Sequence, residues 1–134
     1  MLSRLLLALP VTFLASCAGP SSSPFSPPPS VAEWKIESVS TLSSGDVPAT
    51  VGGLAVEEAV VARYTGPQPL AVTFCRMKTW AGAFEAMQHW RPEPGRLAFN
   101  RGPWFVVLDS PELDFARLNS IAGFLQPALV APVE

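Results

Sequence analysis

Fifteen prolines in 134 residues restrict this chain more than any other feature. Proline breaks helix interiors, and in sheets it is confined to edges, strand starts and bulges. Five of them, Pro20, Pro24, Pro27, Pro28 and Pro29, crowd with serines into residues 18–30, where no apolar period survives. Such a composition stays extended and solvated, and thirteen residues of it reach roughly 40 Å at about 3.1 Å per residue. Phe25 is the one odd residue there; it reads as incidental, with contact to lipid or to the domain as the alternative. Further on, the prolines close elements: Pro92 and Pro94 end one helical pattern and Pro127 another. About half the chain is apolar and few residues are charged, which describes a packed domain rather than global disorder. The length allows one domain, placed at residues 31–134.

The segment before the proline tract has its own logic. Arg4 makes a short positive start, and Leu5 to Leu14 form an apolar run too short to span a bilayer. It ends in Leu14-Ala15-Ser16-Cys17, which resembles the lipobox of bacterial lipoproteins. The resemblance implies a signal peptide over residues 1–16, cleavage before Cys17, and a Pro/Ser-rich spacer over 17–30 whose Cys17 carries a diacylglycerol and usually an acylated amine (palmitate is the typical chain). A plain secretory peptide with a chance cysteine is the alternative. A single acyl chain holds a protein only marginally, whereas two or more anchor it stably. The expected partner is therefore a membrane, and the expected place the bacterial cell envelope. Ala18 stands where an aspartate would mark inner-membrane retention, so the same resemblance favours the outer membrane.

From Val31 onward the pattern is that of an α+β domain. Residues 33–37 alternate polar and apolar, as a half-buried strand does. A soft stretch from Ser38 to Gly53 follows, read as loop with a short strand at most. Residues 57–65 and 70–77 are strands broken by a Gly-Pro turn, hence a hairpin. Thr79 caps a helix whose expected buried face is Trp80, Ala83, Phe84, Met87 and Trp90, with Glu85, Gln88 and His89 opposite. A second hairpin turns at Asn100-Arg101-Gly102 between residues 96–99 and 104–109. Ser110, Pro111 and Glu112 read as the start of a last helix, with Phe115, Leu118, Ile121, Ala122 and Leu125 as its buried stripe. The tail to Glu134 reads as loose.

The order β-ββα-ββα predicts an antiparallel sheet of about five strands with two helices on one face. Both hairpins carry an arginine near a Gly-Pro, at Arg63 to Pro67 and at Arg101 to Pro103, which fits either a distant duplication or two ordinary turns. The segment from Ala62 to Asp109, with its Arg-Tyr-Thr-Gly-Pro turn and later Arg-Gly-Pro, is similar to a family of uncharacterised exported bacterial proteins. That resemblance supports the fold and implies no catalytic residue.

Chemistry is harder to find. Nine basic against eleven acidic residues leave no basic stripe for nucleic acid. Cys75 sits inside a strand pattern, where an isolated cysteine is usually a small buried hydrophobe rather than a nucleophile. His89, the single histidine, has Glu85 one turn before it; the pair is half a metal site at best and reads as a solvent-facing pair. No G-x-S-x-G elbow, Walker loop or HExxH is present, so no enzyme, cofactor or metal is expected. Aromatic and apolar residues remain: Trp104 after a turn, and Leu113 and Phe124 off the last helix's stripe, form a candidate binding patch unless they pack beneath the termini. The expectation is a lipid-anchored accessory domain that binds an envelope protein. The alternative is a small-molecule or lipid-binding module with a pocket around Trp80, Phe84 and Trp104.

Overall fold

Valine-rich strands and two helices assemble as an α+β domain in the computed structural model, which describes residues 25–129. The apolar N-terminal run, Cys17 and the first part of the spacer lie outside the described residues, as does the tail after Leu129. The strands are β1 (Ser30–Val31), β2 (Trp34–Thr41), β3 (Val56–Thr65), β4 (Leu70–Met77), β5 (Arg96–Arg101) and β6 (Trp104–Asp109). The helices are α1 (Trp80–His89) and α2 (Phe115–Leu125). All strands pair antiparallel in one sheet of order β1-β2-β3-β4-β6-β5. The sixth strand is β1, two residues at the end of the proline tract and too short to leave a pattern. β2 continues to Thr41 through what reads as loop, with a bulge between Ile36 and Ser38.

The two helices pack on opposite faces of the sheet, not on one. Strand side chains alternate between faces. Val72, Phe74, Trp104, Val106 and Leu108 join the core that holds Leu118, Ile121, Ala122 and Leu125 of α2. Cys75, Met77, Phe105 and Val107 join a second core with Ala83 and Ala86 of α1 and Val51 of the 42–54 loop. Periodicity shows that a helix has a buried side but not which face of a sheet receives it. This arrangement also speaks against a duplication. A two-fold relating β3-β4 to the antiparallel β5-β6 would stand perpendicular to the sheet and carry both helices to the same face.

Local signals hold in part. Thr79 caps α1, its hydroxyl accepting from the Gly82 N–H at 2.9 Å. α2 starts later than expected: Asp114 is its cap, accepting from the Arg117 N–H at 2.8 Å. Ser110 is instead fully buried and donates to the Pro69 carbonyl at 2.6 Å, tying the end of β6 to the β3–β4 turn. That turn is tight against the core. A Cβ on Gly66 would come within 2.7 Å of the Trp34 ring, whose Nε1 donates to the Gln68 carbonyl. After α2, residues Gln126–Leu129 form a 3-10 turn that includes Pro127 and buries Leu129.

Candidate functional site

Three regions depend on how the strands and helices meet. The first is where the chain enters. Phe25 is half-buried, its ring 4.9 Å from Phe74 and 4.5 Å from Trp104 between centroids. Its N–H donates to Glu58 at 2.7 Å, and Glu58 in turn pairs with Arg76, which also holds Glu57. Tyr64 donates to the Pro28 carbonyl and the Ile36 N–H to that of Pro29, so the end of the proline tract lies against the sheet. The spacer reading is corrected for these residues: from Phe25 onward the chain is packed, not solvated. Aromatic contacts of this kind contribute about 0.5–1.5 kcal/mol beyond burial. A single large apolar residue inside a Pro/Ser tract was the available sign.

This packing also corrects the candidate patch. Trp104 is not partly exposed but 7% accessible, because Phe25 and Phe74 close over it and the Arg76 guanidinium lies 6.0 Å from its ring. Leu113 packs partly against the α2 core. Only Phe124 remains outward, at 60% exposure. Trp80 and Phe84, expected in the core, are exposed as well, and none of Trp80, Phe84 and Trp104 lines the groove along β5. Phe115 likewise leaves the expected stripe and points outward.

The second region is a groove of about 580 Å³ along the free edge of β5, between α2 and the segment after α1. Trp90, Leu97, Phe99, Phe115, Asn119 and Gln126 are among its walls. Arg96 crosses it, 5.1 Å over the Trp90 ring and 3.5 Å from both Glu93 and Asp109. Its Nε is buried and makes a charge contact with Asp109 without a hydrogen bond. In the β5–β6 register, Gly95 and Ser110 share a ladder bond and Arg101 faces Trp104 across a two-residue turn. Leu97, Phe99 and Arg101 therefore bond to β6, and the backbone N–H and C=O of Ala98, which lines the groove, and of Asn100 next beyond it point outward from the edge. Sequence reasoning missed this site, since nothing in residues 96–101 says that they form an edge.

The third region comprises the reactive candidates. Cys75 is fully buried among Phe105, Val107 and Met77, and burial pushes its thiol up to about 12, which makes it a poor nucleophile. Glu85 and His89 lie on the exposed side of α1, as expected. Among the described residues, no group of three or more His, Cys, Asp or Glu could hold a metal, and no helix is long and apolar enough to cross a membrane. No family model, curated protein or solved structure matches this chain.

Proposed function

We propose that this chain is a lipid-anchored protein of the bacterial cell envelope, held by an acylated Cys17, whose domain binds an extended segment of a second envelope protein along β5. The observation that carries the binding half is the β5 edge, where outward backbone groups of Ala98 and Asn100 run beside an apolar groove. An added strand would satisfy those groups while Phe99, Phe115 and Trp90 receive its side chains, the usual division between main-chain affinity and side-chain specificity. The lipobox-like Leu14-Ala15-Ser16-Cys17 supports the anchor. A second reading uses the same groove: its volume lies within the ~300–1,000 Å³ of small-molecule sites.

The test is photo-crosslinking in cells from a reactive side chain at Asn119, in the groove, or at Glu37, on the opposite edge. We expect one protein in near-stoichiometric yield from Asn119, none from Glu37, and loss of capture in Asn100→Pro. A proline with its N–H directed outward is tolerated on an edge strand but cannot donate to an added one. Capture that survives Asn100→Pro in a folded chain would remove the strand-addition reading, and a small-molecule adduct in its place would select the second. Intact mass of the same material tests the acyl chains on Cys17.

A further inference from the structure

Several residues trace a continuous path around one end of the sheet. Phe25 packs at a tilt against Trp104, the first residue of β6 after the Gly102–Pro103 turn. The Met77 N–H donates to the Pro103 carbonyl, and Met77 leads through Thr79 to Trp80 at the start of α1. The Trp80 ring lies over Gly102, about van der Waals distance from where its Cβ would be. On the other face, Arg101 reaches Gln126 just past the last turn of α2, so Phe124 belongs to the same end. Trp80 is 67% exposed and Phe84, one turn on, 56%. Lys78 and Arg101 flank them, exposed and with no ion-pair partner among the described residues.

We infer that this end of the domain rests on a phospholipid surface, with the Trp80 indole among the headgroups. The inference rests on the proposed acylation of Cys17. Phe25 lies eight positions after Cys17, and in any conformation those eight steps span at most about 29 Å. A domain of about 100 residues has a radius of gyration near 13 Å and is thus roughly 34 Å across. The packed Phe25 therefore shortens the tether to less than the width of what it holds, which excludes the inverted orientation, and the exposed Trp80 and Phe84 select the Trp80 end as the one in contact. Tryptophan favours that interfacial depth because its ring is apolar and its N–H finds a polar partner. Lys78 and Arg101 add attraction to anionic headgroups. The β5 groove starts at Gln126 and runs from this end toward Phe115, where it stays open to a partner. Phe115 lies nine residues back along α2 from Phe124, about 14 Å.

The full acylated chain, reconstituted in phosphatidylethanolamine vesicles with a minor fraction of phosphatidylglycerol, tests this with brominated acyl chains as the quencher. We expect tryptophan emission to be quenched in the wild type, and most of that quenching to be lost in Trp80→Phe. A reporter at the far end, Phe115→Trp in the Trp80→Phe background, should remain unquenched. Equal quenching with and without Trp80, or quenching of the Phe115→Trp reporter alone, would overturn the orientation. Trp80 unquenched in a chain that sediments as a dimer would assign the face to a second copy. An unacylated Cys17 by mass would instead remove the anchor itself, so the two failures are distinct.

Discussion

The two helices are close in length and each buries a side against the same sheet, yet they do so by opposite means. α2 packs with its large residues: Leu118, Ile121 and Leu125 are all but inaccessible. α1 packs with its small ones, Ala83 and Ala86, and turns Trp80 and Phe84 outward. The difference lies beneath them. Under α1 the sheet presents Met77 and Phe105, and the 42–54 loop adds Val51; Ala83 and Ala86 are buried against them while Met87 packs only in part. Under α2 the sheet supplies Val72, Leu97, Val106 and Leu108, and Leu118, Ile121 and Leu125 pack among them. Close packing at fixed density couples the two sides of an interface. The same apolar period can therefore bury its large members or its small ones.

That contrast can be pressed experimentally, beginning with the largest effect. Each face of the sheet buries one group that cannot ionise in place: Cys75 on the α1 side and Tyr64 on the α2 side, both pushed up to about 12 by burial, from 9.0 and 10.0. The folded chain thus holds these protons more tightly than the unfolded one. Their contribution is complete below about pH 9 and is lost as the pH rises toward 12. We expect urea midpoints that are level to pH 9 and then fall. Cys75→Ala should flatten the first part of that fall, and an unchanged slope would show that the thiol is not the group concerned.

Leu125→Ala, beneath α2, should cost about 2–5 kcal/mol by denaturant unfolding. A loss under 1 kcal/mol would mean that α2 is not held by its large residues. Ala86→Leu, on α1, should destabilise by about 1–3 kcal/mol because the site has no room; a gain would reveal an underfilled face. Phe84→Ala should change stability by no more than about 0.5 kcal/mol, despite removing the larger side chain. A cost like that of Leu125→Ala would mean that Phe84 is buried after all.

The strands were readable in sequence because β-branched runs closed by Gly-Pro turns allow few other structures; both hairpins fall within a residue or two of their expected bounds at β3–β4 and β5–β6. The start of α2 was not, since Ser110 and Asp114 are both competent caps and only the buried Pro69 carbonyl draws Ser110 away. Of the candidate patch, Phe124 keeps its place at the surface while Trp104 loses it to Phe25, a contact across 79 positions of chain. The β5 groove had no sequence sign, because edge position is a property of strand order.

By itself the sequence determined the class of this domain, α+β with an antiparallel sheet, together with its hairpins and the cap of α1. These depend on neighbours within a few residues, where propensity, turn chemistry and period act directly. Only the tertiary structure decided which face each helix covers, which aromatics are buried, where the chain begins to pack, and which strand is left with a free edge. Those outcomes depend on volumes and partners brought together from distant parts of the chain. An apolar residue records that it can be buried, whereas the space that would bury it is made by others.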